Sequence, residues 1–233
     1  MTDLYPTPRR EPRRLGTKSI QLGVLSLAAL AACAKVGEDV LDKETAPFDV
    51  PIRAWMLTRR TRGLDRFFVV VTNVGAPSAL IPITAAAALW LRAKGGLPIA
   101  AAVVLAPTIA VGLFVGIKQA YRRARPAGAR TLHQRTYSFP SGHASASAAI
   151  GGTLAYVLWR ERMIAGPAAA VLATVPTLLI GTSRVYLDVH WPTDVLGGWA
   201  LGALVTALSA ITYEHIRTDT RKRGAPALAR WQG

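Results

Sequence analysis

Apolar residues in this chain come in long blocks, not at a short regular period. Six blocks stand out, at about 17–36, 67–91, 97–117, 143–159, 163–182 and 192–213. Each is near the ~20 residues that cross a ~30 Å bilayer core as a helix. Such blocks predict membrane spans, not an amphipathic globular core. The fourth, ASASAAIGGTLAYVLW, is short and rich in small residues. Gly and Ala at close spacing let helices approach tightly, so this block is expected inside the bundle. The first follows a polar, Pro- and Arg-rich stretch but lacks a short apolar region ending in a cleavage site. It is expected to be an uncleaved first helix.

The pattern predicts an all-α, integral membrane bundle of six transmembrane helices over 17–213, between a basic arm at 1–16 and a basic tail at 214–233. Composition agrees, with 51% hydrophobic residues in 233 and a mean hydropathy of +0.28. The formal charge of +15 would suit nucleic acid. The cations cluster at block ends, however, where membrane topology places them, so the lipid bilayer is the expected partner and nucleic acid is not. The N-terminal arm, the links carrying Arg92/Lys94 and Arg160/Arg162, and the C-terminal tail fall on one side of a six-span chain. That side is expected to be the cytoplasm, in a multi-pass protein of the cell membrane. Trp90, Trp159, Trp191 and Trp199 lie within or beside block ends and read as interface anchors. Cys33 is the single cysteine, so it forms no intrachain disulfide and reads as a packing residue.

Three connections remain for the outer side. Residues 37–66 carry six acidic and six basic residues with apolar ones spread between, as in a helix lying along the interface. Residues 118–142 hold six cations (Lys118, Arg122, Arg123, Arg125, Arg130 and Arg135) and no carboxylate. Residues 183–191 hold Arg184, Asp188 and His190. A basic cluster on the outer side runs against the charge bias, and holding an anion is the role that explains it.

The last two connections leave the membrane on one face and can meet. Together they supply the parts for phosphoryl transfer, whose transition state needs its charged oxygens held by fixed donors. Arg125 and Arg184 can each grip two oxygens in a planar fork. Lys118 adds a compact charge. Ser141 and Gly142 open the fourth helix, where free backbone N–H groups and the helix dipole favour an anion. Two histidines complete the set: one can attack phosphorus, the other can protonate the leaving oxygen. Asp194, four residues after His190, can accept that ring's second N–H. His143 has no carboxylate near it in sequence and suits the acid role. No residue cluster has metal-ligand spacing, so neither a metal nor any other cofactor is expected.

Lys118-x6-Arg125-Pro126, then Pro140-Ser141-Gly142-His143, then Ser183-Arg184-x5-His190-x3-Asp194 resembles the three-part signature of the type 2 phosphatidic acid phosphatases. That superfamily, PAP2, also includes vanadium haloperoxidases and bacterial acid phosphatases. The resemblance covers roughly residues 65–213, and every signature position is filled. It implies the membrane branch of the PAP2/haloperoxidase fold. It also implies that His190 forms a phosphohistidine, Asp194 orients it, and His143 protonates the leaving group. Lys118, Arg125, Ser141, Gly142 and Arg184 would bind the phosphoryl oxygens, without a metal.

Three functional readings follow. The leading one is a membrane lipid phosphatase acting at the outer face on a phosphomonoester such as phosphatidic acid or phosphatidylglycerophosphate, or on an isoprenoid pyrophosphate of the undecaprenyl type. A lipid phosphotransferase would use the same phosphohistidine chemistry. A transporter or channel is the third, although the spans hold almost no charge of the kind a polar pathway needs. Arg122, Arg123, Arg130 and Arg135 lie outside the signature and read as attractors of anionic substrate or headgroups. His133 and His215 read as incidental. Asp188 either pairs with an arginine of the site or faces water.

Overall fold

A computed structural model describes residues 17–95, 97–127 and 136–222, and all regular structure in them is helical. The order is α1 (Thr17–Leu41), α2 (Ala46–Thr58), α3 (Arg62–Val74), α4 (Pro77–Gly95), α5 (Leu97–Tyr121), α6 (Gly142–Arg160), α7 (Gly166–Tyr186) and α8 (Pro192–Lys222).

The small-residue block becomes α6, which packs against α5, α7 and α8. It buries Ala144, Ser145, Ala148, Ala149 and Ile150 in its first turns. Its closest neighbour is α8, and glycines set the distance. A Cβ on Gly198 would lie 2.8 Å from the Ser141 carbonyl oxygen, and one on Gly202 2.7 Å from that of Ser145. At the far end of the pair, Tyr156 and Arg160 converge on Glu214, while Tyr213 and Arg217 converge on Glu161. Glu214 and Arg217 lie beyond the expected end of the last span at 213. α8 therefore continues through what the pattern assigned to the tail.

The block expected as one span over 67–91 is two helices. The Thr61 hydroxyl caps α3, accepting from the Leu64 N–H at 3.2 Å. The helix ends at Val74, and α4 opens on Pro77. A residue before proline is steered away from helical backbone, and the corner presses on α7, where a Cβ on Gly75 would collide with Ile180. The two helices meet at a 48° bend. Ahead of them, the 37–66 connection holds the end of α1, all of α2 and the start of α3, and α2 exposes Phe48, Val50 and Trp55 while burying Asp49.

Ile20–Leu41, Gly166–Tyr186 and Pro192–Thr218 are each long and apolar enough to cross a membrane, and the bent α3–α4 pair makes up to a fourth such span. Leu27, Ile81 and Leu89 are 67–68% exposed on the outside of the bundle. In water such a surface would be an aggregation hazard; in lipid it is the solvated face. The protein is a membrane protein. α6 falls short of the same hydropathy test because its interior position calls for Ala, Ser and Gly. Trp199 departs from the interface role expected of it. Its ring packs over Gly181 of α7, and its Nε1 donates to the Thr177 carbonyl at 3.1 Å.

Gly202→Val is expected to push α8 off α6 and lower the thermal midpoint in detergent, overpacking costing about 1–3 kcal/mol. Gly23→Val, where a Cβ meets nothing within 4 Å, should leave the midpoint unchanged. Equal midpoints for the two variants would count against the tight α6–α8 contact.

Candidate functional site

The site forms where three chain segments leave the bundle on one face. The first is the end of α5. Arg122 has φ 46°, a left-handed backbone that stops the helix and turns the chain sideways. This aims Arg123 and Arg125 at the α7–α8 loop. The second is the run into α6, with a cis Phe139–Pro140 bond. Ser138 N–H donates to the Arg123 carbonyl at 2.8 Å, and Lys118 Nζ donates to the carbonyls of Tyr137 at 2.5 Å and Ser138 at 3.2 Å. Ser141, in extended backbone, is the N-cap residue of α6, and its N–H donates to the Asp194 carbonyl at 2.9 Å.

The third segment is the turn between α7 and α8. Val189 and His190 both donate their N–H groups to the Arg184 carbonyl, at 3.1 and 3.2 Å. Asp188, at φ 58°, makes that reversal. Asp194 sits in the first turn of α8, and its Oδ2 accepts from the Trp191 N–H at 2.8 Å. The i, i+4 spacing thus does place His190 and Asp194 together, with Nδ1 3.3 Å from Oδ2. His190 is 2% exposed and Asp194 0%.

The neighbours fix the tautomer of His190. Arg125 NH1 lies 3.0 Å from Nε2. A guanidinium only donates, so Nε2 must be the accepting nitrogen and Nδ1 carries the proton toward Asp194. Burial pushes the imidazole down to about 3; Asp194 opposes this, and the charges of Arg125 and Arg184 add to it. The ring is therefore neutral at physiological pH, with the lone pair of Nε2 facing the cations. That is the state a nitrogen nucleophile needs.

Around it, Arg125 donates from Nε to the Thr136 carbonyl and from NH1 to the Val189 carbonyl, both at 2.7 Å. Arg184 donates from NH1 to the Thr72 hydroxyl at 2.6 Å. Its Nε and the Ser141 hydroxyl are buried without a hydrogen-bond partner. Buried donors left without partners are costly, and an anion is the ligand that would satisfy these. His143, in the first turn of α6, faces the charges of Arg184, Arg125 and Lys118. Gly142 is the first residue of that helix. All eight residues expected at the site thus lie on one face.

The pattern missed several participants. Ser138 donates its hydroxyl to Asp194 Oδ2. Arg123, expected only to attract anions, is instead tied to Asp194 and Asp49 by ion pairs. Asp188 is buried rather than facing water, and Arg53 of α2 grips it at 2.6 and 2.8 Å. Only Asp49 left a trace in the sequence, as a carboxylate within the apolar run AFDVP. Arg122 remains exposed, donating to the Gln119 carbonyl at 3.2 Å. His215 lies on the far part of α8. Arg130, His133 and Arg135 lie outside the described residues.

Fold and site together define a helical membrane protein that gathers cations and a buried His–Asp pair at one end of its bundle. The family model described as PAP2 superfamily matches residues 97–217, and the chain belongs to that superfamily. It is similar to phosphatidylglycerophosphatase B of Bacillus subtilis, 38% identical over 97 residues, which are 38% of this chain and 45% of the relative. The match thus spans less than half of that protein's length. It is also similar to an undecaprenyl-diphosphatase of Sulfolobus acidocaldarius, 29% identical over 63% of this chain and 69% of that one. Among solved structures, a transmembrane PAP2-type phosphatidylglycerolphosphate phosphatase from B. subtilis superposes with a TM-score of 0.67 at 25% identity, covering 93% of this chain and all of the other.

Inorganic phosphate is expected to raise the thermal midpoint of the purified protein; an anion at 100 times its Kd contributes about 2.7 kcal/mol. Arg184→Gln should abolish that shift. A shift of the same size in the variant would show that phosphate binds elsewhere.

Proposed function

We propose that the protein is a lipid phosphatase that works through a phosphohistidine. His190 Nε2 attacks phosphorus, an N–P bond forms, and the bond to the lipid oxygen breaks. His143 gives its proton to that oxygen. Water then attacks phosphorus, returning a proton to His143, and the N–P bond breaks to release phosphate and restore His190. Asp194 holds the Nδ1 proton throughout. Lys118, Arg125, Arg184, Ser141 and the backbone at Gly142 bind the phosphoryl oxygens. Arg125 must move off Nε2 as the phosphate arrives, and the phosphate oxygens offer its donors a stronger acceptor than the ring does. The bound dianion also supplies the negative charge that favours a protonated His143.

The observation that carries this reading is the neutral His190 with Nε2 turned toward a cluster of cations, two of whose neighbouring donors are unpartnered. The relatives' names support a diacyl lipid phosphomonoester or an isoprenoid pyrophosphate as substrate, since both hold their tails in the bilayer with the phosphate at its surface. α1, the α3–α4 pair, α5, α6, α7 and α8 would make six crossings within 17–213. Both termini then lie on the cytoplasmic side of the cell membrane, favoured by their cations, and the site opens on the extracytoplasmic face.

Protein in detergent, with chelator present, is expected to release phosphate from members of a diacyl and isoprenoid phosphate panel. His190→Ala should fall to background. His143→Ala should lose about 10²–10⁴-fold on a lipid alcohol leaving group, and much less on an activated aryl phosphate, whose oxygen needs no proton. Full turnover by His190→Ala would overturn the mechanism.

A further inference from the structure

The polar network behind His190 does not end at Asp194. Arg123 NH1 donates to Asp194 Oδ1 at 2.8 Å, and its NH2 donates to Asp49 Oδ2 at 2.6 Å. Asp49 is 1% exposed. It also accepts from Thr193, at 2.9 Å from the backbone N–H and 2.8 Å from the hydroxyl. Thr193 immediately precedes Asp194. One carboxylate on α2 therefore holds both the guanidinium that faces Asp194 and the residue next to it.

The geometry divides the work of the Asp194 carboxylate. Arg123 takes Oδ1, which leaves Oδ2 for His190, Ser138 and the Trp191 N–H. A guanidinium is planar, with its terminal nitrogens fixed relative to each other. Anchoring NH2 on Asp49 thus sets the direction from which NH1 meets Asp194, and so the plane of the carboxylate that holds His190. On the other side of His190, Arg53 of the same helix grips Asp188 at two points. α2 lies outside the 97–217 segment that the family model matches.

We infer that Asp49 and Arg123 are positioning residues for the His190–Asp194 pair, so that α2 sets the orientation of the nucleophile without touching the phosphate. This rests on the phosphatase reading above. Removing either residue leaves the phosphate-holding side chains in place while freeing Asp194 to turn.

The test compares wild type, Asp49→Asn, Arg123→Gln and the double variant on a lipid phosphate that wild type hydrolyses. A midpoint shift with inorganic phosphate reports the anion site separately. The single variants are expected to lose about 10–100-fold in kcat, as when the partner of a held ligand is removed, with KM and the phosphate shift retained. The double variant should fall no further than the worse single, since the two residues act as one unit. Unchanged kcat in the folded single variants would overturn the inference, and so would parallel loss of kcat and phosphate binding, which marks a scaffold role. If Asp49→Asn does not fold, Arg123→Lys, which keeps the charge but loses the fork, is read by the same two criteria. No phosphate release by wild type on any lipid would sink the phosphatase reading itself, an outcome distinct from either of these.

Discussion

A carboxylate with no exposure to solvent must have its charge met by protein donors, and meeting the charge of Asp194 organises the end of the bundle that holds the candidate site. Burying an ion is expensive unless it is paired and fully hydrogen-bonded. Asp194 draws those partners from separate parts of the chain: Arg123 beyond α5, Ser138 from the run into α6, and His190 and the Trp191 N–H from the turn ahead of α8. Its backbone carbonyl also holds the Ser141 N–H, where α6 begins. Satisfying one residue thus brings the three segments of the site to a common point.

The bundle beneath makes that convergence possible. In lipid, apolar burial does not drive helices together, so close backbone approach and polar contacts must. α6 and α8 use both. Glycines bring the backbones together near the site, and the Glu161 and Glu214 clusters tie the opposite ends. The bend between α3 and α4 brings the buried Thr72 to Arg184, which holds one nitrogen of that guanidinium and leaves Nε free.

Much of this is legible in the sequence for a physical reason. Three spans, and up to a fourth, announce themselves by length and hydropathy, and an i, i+4 pair such as His190 and Asp194 meets through local geometry alone. The candidate site residues group together on the assumption that their connections leave the bundle on one face, and the structure does bring the ends of α5 and α7 and the starts of α6 and α8 together. The residues that were not legible act over long separations. Asp49 sits in a segment whose composition predicts an interfacial helix, and nothing local reveals that its carboxylate turns inward to Arg123 and Thr193. Asp188 could be placed only by finding Arg53, 135 residues away. The break between α3 and α4 is marked only by Gly75 and Pro77, and hydropathy reads through both.

The bond from Asp49 to Thr193 spans 144 residues, and that separation bears on how the protein is made. Chains emerge and insert from the N-terminus. Asp49 leaves the ribosome well before Arg123, and Arg123 well before Thr193 and Asp194, so the network cannot close until α8 begins to emerge. Asp194 arrives with α8, so Arg123 takes its setting between the two acids only after α8 has begun to emerge. A shortened product that stops ahead of α8 lacks Asp194 and Thr193 and so cannot close this network.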